Sequence, residues 1–471
     1  MSLNNKPRAR PGILLLASAW LCSMVLFVLG ALFSMVALIV LASFCYSLLA
    51  HHPTPGMTPR LRSLILLLLA WPIAVPILLI ALSTPGIALR NKRYAGLAIV
   101  LLSFFIIDFI APQNWGKTLA IEQDSPMIEA TTQSEKRDQV LHHLNGFPYT
   151  PAWWLKNPHA QSFYGPFFRN KTYNEFRSER LETPDDDFVM LQYADADPDK
   201  PLVLMLHGLE GSAQSFYIKT YNEVFHAQGW NTVTMEFRFC SGEINKTKRI
   251  YHMGETTDID HVIKTLTTRH PDKPLYLLGI SLGANVLTKW LGETGAALPK
   301  QIQAAAVIAP PFMPHKSVPA FHDALGGFYV WHFLRSLKPK ARAKAAQFPG
   351  AIDLEALEAC KDFYTYDTII TAKLHGFDDA MDYWEKVGSY QFLPEIQCPT
   401  LLVAAKDDPF NPEDTIPYDI AAANPWLHPQ WADQGGHVGF VAGPTPHRAY
   451  SWAEEQTMRF FQLYATAENK E

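Results

Sequence analysis

The segment Leu275-Tyr-Leu-Leu-Gly-Ile-Ser-Leu-Gly-Ala-Asn285 is the most informative stretch of this chain. It begins as a short apolar run, passes through Gly279-Ile-Ser281-Leu-Gly283 and continues into a helical pattern. Glycines two positions before and after the serine let a strand and a helix approach closely at a sharp turn. The serine hydroxyl then projects at the N-terminus of the helix, whose dipole favours negative charge. The pattern predicts that Ser281 is a nucleophile on a strand–turn–helix elbow.

A serine nucleophile needs a base and an acid, and both are found further along the chain. An apolar strand ends in Lys406-Asp407-Asp408-Pro-Phe, and a later loop, Gln-Gly-Gly-His437-Val-Gly-Phe, carries a histidine. The order serine, acid, histidine is the one expected after this type of elbow. Asp408 is predicted to orient His437, which takes the serine proton and returns it to the leaving group. Asp407 is the alternative acid.

Two backbone amides are predicted to form an oxyanion hole. An apolar run at 202–206 is followed by His207-Gly-Leu209-Glu-Gly. The N–H of Leu209 in this turn and that of Leu282, directly after the nucleophile, can point at a developing oxyanion. Because both donors are backbone groups, the side chains at these positions are not constrained by the role. His207 is interpreted as a structural residue of the turn rather than a second base.

From residue 176 onward, short apolar runs alternate with helical patterns. The predicted strands are 176–183, 188–194, 202–206, 232–237, 275–279, 304–308, 400–404 and 430–433, and the predicted helices include 221–228, 256–269 and 284–294. Most runs are apolar on both faces, which is typical of a buried parallel sheet. The alternation predicts a mostly parallel, doubly wound α/β sheet. The mostly helical stretch 311–393 interrupts it and is predicted to be a cap insertion.

The overall net charge of −5 conceals two different parts of the chain. Residues 1–116 hold eight basic side chains and one acidic one, whereas residues 117–471 carry a net charge of −12. Such an acidic region is a poor match for a nucleic-acid binder. Long apolar runs at 12–50, 64–89 and 94–111 predict an all-α transmembrane anchor of three or four helices over residues 1–112. A polar linker at 113–146, with some helix, leads to a catalytic domain at 147–471.

The number of spans decides which side of the membrane the domain occupies. Counting basic residues slightly favours three spans, with the domain outside, whereas the length of the first apolar run and the free thiols favour four. We expect a multi-pass protein of the inner or plasma membrane with a cytoplasmic catalytic domain. Asp108, the only acid of the anchor, lies near the end of its segment and is interpreted as interfacial. The spans offer it no charged partner, which argues against a transporter.

Several further motifs resemble the YheT-like family of α/β-hydrolases. They are Asn157-Pro-His-x-Gln161, His207-Gly-Leu-Glu-Gly-Ser212, Phe237-Arg-x-Cys-Ser-Gly-Glu243, Arg249-Ile-Tyr-His-x-Gly-Glu-Thr256, His375-Gly-Phe-x-Asp-Ala-x-Asp-Tyr383, Lys406-Asp-Asp-Pro-Phe410 and Gly435-Gly-His-Val-Gly-Phe440. The similarity covers about residues 150–465. It implies an α/β-hydrolase fold and a serine carboxylesterase that acts on short-chain esters or monoacylglycerol-type lipids. The apolar front is a departure, because many bacterial members of the family are soluble.

Other readings of the same residues remain open. An acyltransferase or thioesterase would use the same triad with another acceptor or leaving group, and a membrane scaffold would use no triad. The charged motif that contains Arg238, Glu243, Arg249, His252 and Glu255 could bind a polar head group, but we favour a buried ion-pair network. The five cysteines show no CxxC spacing, and neither a metal nor an organic cofactor is expected. The expected partners are a lipid or small ester substrate and the bilayer; the oligomeric state is not predicted.

Overall fold

The strands of the chain form one large sheet and one short hairpin. The computed structural model describes residues 128, 130–169 and 176–465, so the predicted anchor at 1–112, including Asp108, lies outside the described residues. The strands are β1 Arg177–Glu182, β2 Phe188–Ala194, β3 Leu202–Leu206, β4 Asn231–Glu236, β5 Leu275–Ile280, β6 Ile302–Ile308, β7 Thr400–Ala405, β8 Leu427–Ala432, β9 Val441–Ala442 and β10 Tyr450–Ser451.

The eight-stranded sheet has the order β1-β2-β4-β3-β5-β6-β7-β8. Its strands from β3 to β8 run parallel, whereas β1 and β2 are antiparallel to their neighbours. The prediction of a mostly parallel α/β sheet is therefore confirmed. The last strand of the sheet begins three residues earlier than predicted. Pro429 lies within β8, which is an edge strand, where proline is tolerated.

Helices cover both faces of the sheet and fill the insertion between β6 and β7. The helices are α1 Gln133–Asn145, α2 Pro158–Phe168, α3 Phe216–His226, α4 Thr257–Arg269, α5 Leu282–Thr294, α6 Pro314–Asp323, α7 Phe328–Gln347, α8 Leu354–Ala359, α9 Phe363–Tyr366, α10 Lys373–His375, α11 Ala380–Val387, α12 Tyr418–Ala423 and α13 Trp452–Ala465. Short 3₁₀ turns lie at Gly295–Ala297, Ala324–Gly327, Ser389–Glu395, Glu413–Thr415 and Pro446–Arg448, and a π-helical turn, Asp367–Ala372, joins α9 to α10. Every helix in the described part of the chain is too short or too polar to span a bilayer.

The core is double-sided because the strands are apolar on both faces. In β3, Leu204 packs into the cluster beneath α4 and α5, whereas Val203 and Met205 pack into the cluster beneath α3 and α13. The helix expected within the 113–146 segment is present as α1, and its Val140 and Leu144 are fully buried in the second cluster. This arrangement holds the carboxyl ends of the parallel strands at one edge of the sheet, which is where ligands bind in open α/β sheets.

The insertion between β6 and β7 is a helical cap with its own apolar cluster. This cluster is formed by side chains of α6 to α11, including Phe321, Leu334, Ile370 and Trp384. Leu209 and Met253 from loops of the main domain are packed against it, so the cap is joined to the sheet by apolar contacts. The predicted cap therefore has a core of its own that rests on the loops beside the nucleophile.

Candidate active site

The predicted nucleophile lies at a tight turn between β5 and α5. Ser281 has φ 55° and ψ −118°, a strained conformation for a residue with a side chain. Its backbone N–H donates to the carbonyl of Ile308 at 2.8 Å, which holds the turn against β6. A Cβ on Gly283 would lie 2.6 Å from the carbonyl oxygens of Leu206 and His207, so this position has room only for glycine. The elbow therefore has the geometry that its sequence pattern indicates.

The three predicted side chains of the triad lie in one hydrogen-bonded chain. His437 Nε2 is 2.8 Å from Ser281 Oγ, and His437 Nδ1 is 2.9 Å from Asp408 Oδ2. The Asp408 side chain is 2% exposed and that of His437 is 10% exposed. An N–H at Nδ1 directed at the carboxylate leaves the lone pair of Nε2 facing the serine hydroxyl. The imidazole is thus oriented to accept the serine proton.

The two neighbouring acids, Asp407 and Asp408, make different hydrogen bonds. Asp408 also accepts bonds from the Phe410 N–H at 2.8 Å and from the Asn411 side-chain amide at 3.0 Å. Asp407 instead accepts from the backbone N–H of Gly436 at 2.9 Å, so it supports the histidine loop from below. Burial raises the pKa of the Asp407 carboxyl. Asp408, and not the alternative Asp407, contacts the imidazole.

The two predicted oxyanion donors lie beside the serine. Leu282 follows the nucleophile at the start of α5, and the turn that carries Leu209 is so close that a Cβ on Gly208 would lie 3.2 Å from Ser281 Cβ. In the described part of the chain, neither the Leu209 nor the Leu282 N–H donates to a protein acceptor. Two free amides near a nucleophile can stabilise negative charge on a substrate oxygen.

His207 supports this turn from beneath. Its Nδ1 lies 2.8 Å from the Gly208 carbonyl, and its Nε2 accepts from the Phe237 N–H at 3.2 Å. Full burial lowers the pKa of the ring to about 4, so it stays neutral. Both nitrogens are engaged with the backbone, in agreement with the structural role expected for His207.

Two contacts to the loop that carries His437 come from residues for which the sequence predicts no role. Ser162 Oγ of α2 accepts the His437 backbone N–H at 2.8 Å and donates to the carbonyl of Pro158 at 2.8 Å. Phe410 lies against the His437 ring at 4.2 Å between centroids. Phe410 belongs to the motif Lys406-Asp-Asp-Pro-Phe410, from which only the acids were predicted to act. Ser162 lies 275 residues from His437, and no sequence pattern around it indicates this contact.

A set of hydrogen-bonded polar side chains next to Leu209 links the cap to the main domain. Lys340 of α7 donates to Glu210 at 2.7 Å, and Glu210 follows Leu209 with a φ of 55°. The Tyr251 hydroxyl donates to the Glu210 carboxylate at 2.8 Å and accepts the Glu210 N–H at 2.9 Å. The backbone next to a candidate oxyanion donor is therefore fixed by a cap lysine and a core tyrosine.

A cavity of about 320 Å³ extends from Ser281 and His437 beneath the cap. Most of its wall is aromatic or aliphatic, and the cap side is lined by Val318, Phe321, Tyr329, Phe333, Leu337, Ile370 and Leu374, among others. This volume is at the lower end of the range for small-molecule pockets. An apolar cavity that ends at a nucleophile can accept a hydrocarbon chain.

Asp367 is an ionisable group of the cap that lies in this mostly apolar wall. Asp367, on the π-helical turn, accepts hydrogen bonds from Thr371 and from the indole N–H of Trp384. Burial raises the pKa of its carboxyl to about 6. A π-helical turn in such a position is frequent at functional sites.

The charged motif after β4 is largely a buried ion-pair network. The Arg238 side chain, 1% exposed, contacts Asp185, Asp187 and Asp258 at 2.6–3.0 Å. Arg249 contacts Glu255 and also Asp185. The favoured interpretation is confirmed for these residues, whereas Glu243 pairs with Arg180 at the surface.

One cluster has the residue types of a metal site. Donor atoms of His252, Glu255 and His375 lie within 4.8 Å of one another. However, His252 Nδ1 accepts the Gly254 N–H at 3.1 Å, which places the imidazole proton on Nε2, and Arg249 already pairs with Glu255. A cation there would face a protonated nitrogen and a guanidinium. We therefore assign the cluster no metal.

Comparisons with known proteins identify the fold and the family. The family model described as "alpha/beta hydrolase fold" matches residues 201–444. YheT of Escherichia coli (strain K12), named as a candidate esterase, is 34% identical over 68% of this chain and 95% of its own length. Phospholipase ABHD3 of Bos taurus is 26% identical over 64% of this chain and 75% of its own length. The monoacylglycerol lipase of Saccharomyces cerevisiae is 26% identical, with coverages of 57% and 60%.

The chain belongs to the α/β-hydrolases and, among them, to the family of YheT-like proteins. The relatives are named as esterase, phospholipase and lipase, so the protein is a hydrolase of the esterase and lipase type. The predictions of the family and of an enzyme are confirmed.

Proposed function

We propose that the protein is a membrane-tethered serine hydrolase that cleaves carboxylic esters through an acyl-enzyme. The observation that carries this proposal is the continuous contact from Ser281 Oγ through His437 to Asp408, with bonds of 2.8 and 2.9 Å. The two free amides of Leu209 and Leu282 support it, since acyl transfer also needs a place for the oxyanion.

The residues have distinct roles in the proposed reaction. Ser281 Oγ attacks the ester carbonyl carbon while its proton moves to His437 Nε2, and the oxyanion is held by the Leu209 and Leu282 amides. The imidazolium, stabilised by Asp408, then protonates the leaving alcohol as the ester bond breaks. Water, deprotonated by His437, attacks the acyl-enzyme in the same way and releases the acid together with the free serine.

The proposed substrates are short-chain esters or monoacylglycerol and other lipid esters. Support comes from the apolar cavity, which suits an acyl chain, and from relatives named as lipases. The proposed tether is the apolar front at 1–112, which would keep the domain near lipid at a high effective concentration. Within this proposal the domain lies on the cytoplasmic side of an inner or plasma membrane.

A fluorophosphonate probe tests the proposal directly. The full chain should be labelled covalently, and the Ser281→Ala variant should not. Ser336→Ala is the matched control, because it removes the same hydroxyl from an exposed position on α7. Equal labelling of wild type and Ser281→Ala would overturn the assignment. A series of acyl esters of increasing chain length would then define the substrate.

Acyl transfer to an alcohol is the second candidate. It is supported by a relative of Saccharomyces cerevisiae named medium-chain fatty acid ethyl ester synthase/esterase 2, which is 27% identical over 56% of this chain and 63% of its own length. The same triad would serve, because only the acceptor of the acyl group differs. Product analysis with and without added alcohol separates the two reactions: hydrolysis yields only the free acid, whereas transfer yields a new ester.

A further inference from the structure

A group of large apolar side chains lies exposed on α2, on α7 and on the turn before α7. We call it the aromatic rim. It consists of residues from the end of α2, the turn before α7 and the first turn of α7: Phe167, Phe168, Leu325, Phe328 and Trp331. Each is between 43% and 72% exposed. Large exposed apolar patches on soluble domains mark sites of interaction.

The rim is continuous with the wall of the active-site cavity. The Phe163 ring packs against Phe167 at 6.3 Å, against Phe328 at 6.1 Å and, in a stacked arrangement, against Tyr329 at 5.4 Å. Phe163 and Tyr329 both line the cavity that contains Ser281. An uninterrupted apolar path therefore leads from the exposed surface to the nucleophile.

The rim adjoins a basic helix in an otherwise acidic domain. Residues 324–347 contain five Lys and Arg and no Asp or Glu, whereas residues 117–471 have a net charge of −12. Lys340 and Lys344 point inward, where they bind Glu210 and the carbonyls of a buried loop. Arg335 lies over the exposed Trp331 ring at 4.8 Å, and Arg342 is one further basic residue on the exposed side.

The exposed face of α7 has a defined order along the helix. Phe328 and Trp331 come first, followed by the guanidiniums of Arg335 and Arg342, at spacings that share one face. Arg342 is also bound by Glu358, so Arg335 is the more available charge. Aromatic rings beside Arg on one face are typical of a helix that lies at a lipid–water interface.

We propose that the aromatic rim and Arg335 dock the domain on a lipid surface that contains anionic lipid, so that an ester passes from the bilayer into the cavity. This inference rests on the proposed function, because it assigns the source of the substrate. Lipid is favoured over a protein partner because the surface opens into an acyl-sized cavity and carries positive charge.

Hydrogen–deuterium exchange tests docking without any need for catalysis. The full chain, with Ser281→Ala to prevent turnover, is placed in nanodiscs of phosphatidylcholine alone or with phosphatidylglycerol. Peptides that cover 158–168 and 324–336 should exchange several-fold more slowly with the anionic lipid. Peptides around Tyr364, an exposed aromatic of the same cap, should be unchanged. Equal exchange in both nanodiscs, or protection that depends on protein concentration and thus reports self-association or another protein, would overturn the inference.

Steady-state kinetics with two esters test the effect that docking on lipid should have on hydrolysis. In Phe328→Ser/Trp331→Ser, the rate on a long-chain ester within anionic vesicles should fall about tenfold, whereas the rate on a water-soluble short-chain ester should change less than about twofold. Tyr364→Ser is the matched control and should affect neither rate. Equal losses on both esters would contradict docking, and so would no loss on either. If wild type cleaves neither ester, the proposed function fails, while the exchange measurement still decides docking.

Discussion

The rings of Phe410 and His437 lie 4.2 Å apart, with an angle of 35° between their planes. On its other sides, Phe410 receives the edges of two cap rings, Phe321 at 4.5 Å and Tyr329 at 4.6 Å. The proposed catalytic imidazole is thus held by Asp408 at one nitrogen and by the Phe410 ring across its face, and Phe410 in turn packs against the two cap rings. The cap consequently contributes to the position of a group that comes from the main domain.

Phe410→Leu is expected to lower kcat about tenfold or more with little change in KM, because the imidazole loses its packing partner and its alignment with Ser281. Phe333→Leu, at another aromatic of the cavity wall, should change KM rather than kcat. The measurement is steady-state hydrolysis of a soluble ester. A higher KM with an unchanged kcat in Phe410→Leu would mean that Phe410 is only part of the substrate wall.

Asp408→Asn and Asp407→Asn are expected to differ sharply. Asn at position 408 cannot stabilise the imidazolium and favours the wrong tautomer, so kcat should fall by about 10³–10⁴ while the fold is kept. Asn at position 407 can still accept the Gly436 N–H, so kcat should fall less than about tenfold. Rates of fluorophosphonate labelling compare the variants. Similar losses in both would contradict the separation of roles inferred from their contacts.

Lys340→Met is expected to destabilise the protein because it leaves the Glu210 carboxylate, whose side chain is 8% exposed, without its cation. The loss should be about 2 kcal/mol, or about 3 °C in Tm. The double variant Lys340→Met/Glu210→Gln should recover part of this loss, since a neutral amide needs no counter-ion and can still accept from Tyr251. Thermal unfolding of wild type, of the single variants Lys340→Met and Glu210→Gln, and of the double variant closes a double-mutant cycle. Strictly additive losses would show that the two side chains are not coupled.

Most of the fold could be predicted from local patterns in the sequence. The buried parallel strands were recognisable because each is apolar on both faces, and the elbow because its glycines are demanded by close contacts such as that of Gly283. α13 gave no such signal. Its buried side includes Glu454, which pairs with Arg169 at 2.6 Å, and Gln456, and these polar residues interrupt the apolar period of a helix.

The candidate site was predictable only where its residues stand in motifs. Ser281, Asp408 and His437 occur in a fixed order on loops after strands, and the structure brings these three side chains together. Ser162 and Lys340 reach the site from an N-terminal helix and from the cap, and their separations of 275 and 130 residues from their partners leave no local trace. Such contacts depend on tertiary packing rather than on any pattern along the chain.

Asp367 is expected to make stability depend on pH in the acidic range. Burial raises the pKa of its carboxyl from 3.8 to about 6, so the folded state favours the protonated form. The stability that this preference provides is complete below about pH 4 and is lost as the pH rises through about 6. Asp367→Asn is neutral throughout and can still accept from Trp384. It should therefore be more stable than wild type by up to about 3 kcal/mol at pH 7 and show little gain at pH 4.

Thermal unfolding of wild type and Asp367→Asn between pH 4 and pH 8 measures this difference. The gain in Tm should grow between about pH 4 and pH 6 and stay constant above that range, because both states of wild type are then ionised. A gain that is equally large at pH 4 would contradict a titrating Asp367, since at that pH its charge is absent from the folded wild type.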